Sequence, residues 1–298
     1  MKHQHIIGMF DSGVGGLTVM KEILERIPEV RIIYLGDTAR VPYGNRSKEE
    51  LIRFGEEIIT FLISQGAEAV VAACNTSSAN ALPTLKKSFD IPLIGTIEPG
   101  ARLAVKRTMG GKIGLIATEA TVRSKAFSLA ISRVLSKGVL PDNQALSEEW
   151  QHGEQSISLV KSQACPLFVP LVEAGLSKTP EARGIARTYL SGFESEGVDA
   201  LILGCTHYPF LAPVIREILG EKIELIDPAQ AMVQELKTVL DKLDQARKPV
   251  QKRESIQIAK VPWKLRFYVS GDPELFQSVG NTLLPGQIQE VKQVVWGD

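Results

Sequence analysis

The sequence predicts an α/β protein built from two related halves, each with a central, mainly parallel sheet. Three observations carry this expectation. Short apolar runs alternate with amphipathic stretches of helical length along the chain. One of these runs, Ala69–Ala73, is continuously small and apolar, which suits a strand buried on both faces. One pattern also occurs twice: Val70–Pro83 reads VVAACNTSSANALP, and Leu201–Pro213 reads LILGCTHYPFLAP. Each passes from an apolar run through a small residue to Cys, then to two hydrogen-bonding residues, then to a helix-like segment with a Leu and a Pro.

Ile6–Phe10 reads as the first strand, followed by a Gly-rich turn and a helix that ends near Pro28. Arg31–Gly36 is the second strand. Ser47-Lys48-Glu49-Glu50 has capping-box spacing and opens a helix to about Gln65. Further strands are expected at Pro92–Gly95, Lys112–Ala117, Ala200–Gly204, Glu224–Ile226 and Arg266–Val269. Helices fall between them, one opened by Thr179-Pro180, a cap followed by Pro at the first helical position. Leu140–Ser162 is polar and aperiodic and reads as a surface excursion; Lys248–Lys260 reads as a charged connection.

A chain of 298 residues is long enough for one large or two modest domains, at about 150 residues each. Hydrophobic residues make up 44% and charged residues 23%, an ordinary globular balance. Lys+Arg and Asp+Glu both number 34, so no basic surplus points to nucleic acid and no polybasic tail points to a membrane. Three cysteines, Cys74, Cys165 and Cys205, are too few and too odd for a disulfide framework, and none has zinc-ligand spacing. The apolar run near the N-terminus is too short for a signal peptide, and no stretch approaches the ~20 apolar residues of a spanning helix. The expectation is a cytoplasmic, reducing location with free thiols.

A Cys where a strand ends and a helix begins lies near backbone N–H groups that favour its thiolate. The carboxyl ends of parallel strands are also where open α/β folds bind ligands. Asn75 and Thr76, and likewise Thr206 and His207, then stand at helix starts, where carboxylates bind. Each motif therefore offers a proton-transfer group beside an anion site. A lone buried Cys is usually a small hydrophobe, but two with matched surroundings point to function. Cys165, in Ala164-Cys165-Pro166, lacks such neighbours and reads as structural.

Asp11-Ser12-Gly13-Val14-Gly15-Gly16 follows the first strand, and its glycines permit a tight turn or a close ligand. It lacks nucleotide-loop spacing and a Walker lysine. It reads either as a capped βα turn or as a site where Asp11 orients a thiol and Ser12 touches substrate. In the next βα loop, Tyr43 and Gly44 either form a plain turn or contact a polar ligand. Thr118 and Thr121 follow Lys112–Ala117 and either cap a helix or bind ligand. Glu173, beside an apolar run, is either a solvated loop end or a functional carboxylate. His207 is the one histidine inside a motif and stands two residues from a thiol it can assist; His3, His5 and His152 do not.

These segments together resemble the glutamate racemases of the aspartate/glutamate racemase family. The pieces that match are Phe10 to Leu17, Gly36 to Gly44, Ala73 to Thr76, Pro166-Leu167 through Glu173, and Gly204 to Pro209, in the family's order and over most of the chain. The resemblance implies two α/β domains, 1–97 plus 209–298 and 98–208, with the active site in the cleft between them. It implies interconversion of L- and D-glutamate without pyridoxal phosphate or metal, supplying D-glutamate for peptidoglycan. Cys74 and Cys205 then match the acid/base pair; Asp11, Glu173 and His207 match groups that assist them. Ser12, Tyr43, Gly44, Asn75, Thr76 and Thr206 match substrate contacts, and Thr118 and Thr121 join them as candidates. Aspartate racemisation and a non-catalytic binding role on the same fold are the alternatives. A homodimer is the base-rate expectation for a soluble enzyme of this size. Leu140–Ser162 looks longer than the family's usual connection and takes no functional residue.

Overall fold

A computed structural model describes residues 4–137, 156–246 and 263–297. Six strands form the first sheet: β1 (Ile6–Asp11), β2 (Arg31–Gly36), β3 (Ala69–Ala72), β4 (Leu93–Gly95), β9 (Leu265–Val269) and β10 (Val291–Gln293), in the order β10-β9-β2-β1-β3-β4. Four form the second: β5 (Lys112–Ala117), β6 (Ser158–Ala164), β7 (Ala200–Gly204) and β8 (Glu224–Ile226), in the order β6-β5-β7-β8. Every pairing among the described residues is parallel.

Alternate side chains of the first sheet feed two cores, as the two-residue period of a strand requires. Ile7, Met9, Tyr34, Val71 and Phe267 pack on helices Gly16–Arg26, Pro228–Ala246 and Pro273–Leu283. Phe10, Ile33, Leu35 and Val70 face helices Lys48–Ser64 and Leu82–Ser88. The second sheet is covered likewise, by Ile97–Arg107 and Ala126–Lys137 on one face and by Pro180–Leu190 and Ala212–Leu219 on the other. Helix Lys48–Ser64 opens with the capping box its sequence predicts: Ser47 Oγ accepts from the Glu50 amide at 3.1 Å, and the Ser47 amide donates to the Glu50 carboxylate at 2.9 Å.

Three sequence expectations meet a different structure. Ser158–Ser162, read as the end of an excursion, lies in β6; this is an edge strand whose side chains are half-exposed, so it lacks the apolar run that marks its neighbours. The rest of the excursion up to residue 155, and Lys248–Lys260, lie outside the described residues. The short, exposed edge strand β10 was not anticipated. Residues 209–226, expected in the first domain, pack with the second sheet: Leu211, Val214, Ile215 and Leu219 join its core, and β8 pairs with β7. We therefore place the second unit at about residues 97–226, with the return at Asp227, where helix Pro228–Ala246 begins to pack on the first sheet. Among the described residues no helix is long and apolar enough to cross a membrane.

Asp227 accepts from the Ala229 amide at 2.9 Å, and burial at this crossing raises its carboxyl to about 6, with Glu22 pushing the same way. The fold thus favours the protonated carboxyl, an advantage present below the ordinary value of 3.8 and lost as pH rises through about 6. Asp227→Asn keeps the acceptor without the charge. Urea unfolding is expected to show the variant more stable than the parent above about pH 6, the gain vanishing below about pH 4; an equal difference at both pH values would contradict this.

Candidate active site

The strand registers bring the candidate residues together. Asp11 pairs with Gly36, and the Ala73 amide donates to the Phe10 carbonyl at 2.9 Å, so Ser12, Asp37 and Cys74 leave the first sheet at one level. In the second sheet Ala117 pairs with both Ala164 and Gly204, so Thr118, Cys165 and Cys205 leave it side by side. The carboxyl ends of the two sheets meet at one cavity of about 310 Å³. Ser12, Tyr43, Gly44, Cys74, Asn75 and Thr76 line it from the first unit. Thr118, Glu173, Cys205, Thr206 and His207 line it from the second. Asp11 and Thr121 do not reach its surface; both are buried just behind it.

Cys74 and Cys205 are 5% and 7% exposed, so each thiol meets the cavity and little else outside the protein. Cys205 Sγ lies 3.8 Å from His207 Nδ1, and His207 Nε2 lies 3.1 Å from a Glu173 carboxylate oxygen. Asp11 accepts from the Gly13 amide at 3.0 Å and, across the two units, from the Thr206 hydroxyl at 3.3 Å. A second bridge joins the units where Thr76 and Thr118 share a hydrogen bond of 2.9 Å. Thr118 also caps helix Glu119–Ser124 and donates to Thr121 Oγ1 at 3.0 Å, so it is both cap and cavity wall, with Thr121 its support.

Burial pushes the Cys74 thiol up to about 12, and the Asp11 charge adds to the shift. Burial likewise raises the Asp11 carboxyl, against the opposing pull of His207 and the Gly13 and Gly16 amides. For His207 burial acts the other way, but hydrogen bonds to Cys205 and Glu173 and the nearby charges outweigh it and raise the imidazole. The two thiols therefore stand in unlike fields: Cys74 beside a buried anion, Cys205 beside a group held toward its cationic form.

Among the described residues, His207 is the one basic side chain in the cavity wall; no Lys or Arg lines it. A carboxylate bound here would meet amide and hydroxyl donors from Ser12, Asn75, Thr76, Thr118 and Thr206. No group of three or more His, Cys, Asp or Glu suited to a metal ion occurs among the described residues.

Several residues of the site were invisible in sequence. Cys165, read as structural, lines the cavity because its strand ends beside those carrying Thr118 and Cys205. The Thr96 hydroxyl donates to Asn75 Oδ1 at 2.8 Å. Asp37, fully buried, accepts from the Tyr43 hydroxyl and from Trp296 Nε1 at 3.0 Å, so the C-terminal segment ties down the loop that carries Tyr43 and Gly44. Its partners lie 6 and 259 positions away. Trp296→Phe keeps an aromatic side chain but removes the indole N–H, one donor to a buried carboxylate. Chemical unfolding is expected to show a loss of about 1–3 kcal/mol; unchanged stability would remove Trp296 from the support of this loop.

The Asp/Glu/Hydantoin racemase family matches residues 7–236. Glutamate racemase of Desulforudis audaxviator is 44% identical over 291 residues, 97% of each chain. The crystal structure of glutamate racemase from Francisella tularensis in complex with D-glutamate is 33% identical, covers 98% of this chain and 97% of its own, and superposes with a TM-score of 0.79. That of the RacE1 isoform from Bacillus anthracis is 34% identical, covers 100% and 98%, and gives 0.80. With two thiols on opposed sheet ends and matches of this extent, the chain belongs to the Asp/Glu/Hydantoin racemase family.

Proposed function

We propose that this chain interconverts L- and D-glutamate by moving protons between the substrate α-carbon and two thiols, Cys74 and Cys205. The observation that carries the reading is their placement: one at the carboxyl end of each sheet, both in the wall of one cavity. Racemisation needs a base on one face of a carbon and an acid on the other. One thiolate takes the α-proton and becomes a thiol; the opposite thiol gives its proton to the other face and becomes a thiolate. The product complex is the mirror protonation state, so the same pair serves either enantiomer.

The surroundings match this task. Asp11 beside Cys74 and His207 beside Cys205 keep the two thiols unequal at any instant, as a two-base exchange demands. Val41, Pro42, Pro166, Val169 and Pro170 supply apolar wall, so water is displaced when substrate fills the cavity. Preorganised amide and hydroxyl donors at the substrate carboxylate stabilise the charge that develops as the α-proton leaves, by about 2–4 kcal/mol each. Asp11, Glu173 and His207 assist the thiols; Ser12, Tyr43, Gly44, Asn75, Thr76, Thr118, Thr121 and Thr206 hold or support substrate contacts. The reaction runs without pyridoxal phosphate or metal, in the cytoplasm, in a chain that pairs as a homodimer, and supplies D-glutamate to the cell wall. Relatives that carry the name glutamate racemase support glutamate over aspartate.

Deuterium wash-in at Cα in D2O tests the reading. Both glutamate enantiomers are expected to exchange and racemise with no cofactor added and with chelator present. Cys74→Ser and Cys205→Ser are each expected to lower racemisation by about 10²–10⁴-fold. Full activity in either variant overturns the two-thiol assignment. Exchange into aspartate alone overturns the substrate, and no exchange into any amino acid points to a binding protein.

A further inference from the structure

Four consecutive polar residues follow Cys74, and three have their side chains committed. Asn75 is held by Thr96, and Thr76 bonds Thr118. The Ser78 hydroxyl donates to the Ala72 carbonyl at 2.8 Å and accepts from the Thr96 amide at 3.3 Å. Ser77 is different. It is 2% exposed, and its hydroxyl has no hydrogen-bond partner. Among the described residues only two other buried side-chain polar atoms share that state, and both are single nitrogens of arginines, Arg40 and Arg102, that bond elsewhere through the same guanidinium. Among the described residues, Ser77 is the one buried side chain whose whole polar group is left unpaired.

A buried hydroxyl without a partner costs about 1–3 kcal/mol, so its retention calls for a physical reason. Position supplies one. Cys74 is the N-cap of helix Asn75–Asn80 and Ser77 its third residue, the place from which a backbone N–H meets the N-cap side chain. Both the amide and the hydroxyl of Ser77 stand near enough to the Cys74 sulfur to favour charge on it. A neutral thiol is a weak acceptor, whereas a charged sulfur is a strong one. We propose that Ser77 is a positioning residue for Cys74, whose hydroxyl stays unpaired while Cys74 is a thiol and donates to its sulfur once the proton has left. The assignment rests on the proton-transfer role given to Cys74 above.

The electrostatics run the same way. Burial and Asp11 oppose charge on Cys74, while the Ser77 amide and hydroxyl favour it. Asp11 and Cys205 both disfavour charge on this sulfur, and the buried Tyr34 and Tyr43, held neutral, are coupled to it as well; Ser77 is the side chain that offsets Asp11 and Cys205.

Alkylation of Cys74 by iodoacetamide, followed on its peptide by mass spectrometry across a pH series, tests this without reference to glutamate. Failure here therefore leaves the racemase reading standing, and failure of that reading leaves this result interpretable. In Ser77→Ala the Cys74 rate near pH 8 is expected to fall about threefold to tenfold, with its pH midpoint shifted upward. Ser77→Thr, which keeps the hydroxyl, is expected to restore the rate to within about twofold. The Cys205 peptide is expected to react as in the parent. An unchanged Cys74 profile in Ser77→Ala, together with higher thermal stability, would show an idle hydroxyl and overturn the proposal. Equal losses in the Ala and Thr variants, or a matching loss at Cys205, would overturn it as a packing effect.

Discussion

Burying the Asp11 carboxylate is the constraint on which this site is built. It lies at the end of a central strand, shut off from solvent, and must be met by donors. The Gly13 amide and the Thr206 hydroxyl meet it, one from its own turn and one from the opposite unit. The turn has to come close to do so. A Cβ at Gly16 would stand 2.6 Å from Asp11 Cβ and 2.7 Å from the Tyr34 hydroxyl, and one at Gly15 would stand 2.6 Å from the His207 ring. Tyr34 in turn donates to the Gly13 carbonyl at 2.7 Å. Gly15 and Gly16 of the DSGVGG turn are therefore a consequence of the buried Asp11 side chain and of the second unit pressing against it.

The same charge sorts the chemistry. It disfavours a thiolate at Cys74 and favours a cation at His207, so one anion makes two similar half-sites unlike. Among the described residues no Lys or Arg lines the cavity, which keeps that contrast intact.

Much of this was legible in the sequence because it is local. The strands β1 to β5 and β7 to β9 are short apolar runs, Ser47 and Glu50 stand at capping-box spacing, and the repeated Cys motif marks two strand ends. What escaped depends on which strands become neighbours. β6 is a polar edge strand, so its alternation is blurred, and with it went the position of Cys165. β8 was visible as a strand, but alternation of strands and helices does not say which sheet a strand will join, so the return to the first unit was set too early. Asp37 and Trp296 are far apart in the chain, and no local rule couples them. Ser77 sat in full view inside VVAACNTSSANALP, yet only burial among committed neighbours separates it from Ser78.

Two thiols that exchange roles must differ at each moment and still be interchangeable. A difference of 1.4 kcal/mol between the two protonation states is already a tenfold bias. Burial and Asp11 alone would hold Cys74 as a thiol and strand the reaction on one side. Across the cavity His207, backed by Glu173, is itself held toward its cationic form. Some group near Cys74 must then favour its charged form, and among the described residues no Lys or Arg lines the cavity. Short neutral donors are what this fold places there, the Ser77 amide and hydroxyl, both of which favour the charged sulfur, and the hydroxyl engages only then. A donor that is idle in one protonation state and engaged in the other narrows the gap between them without holding the resting enzyme in either.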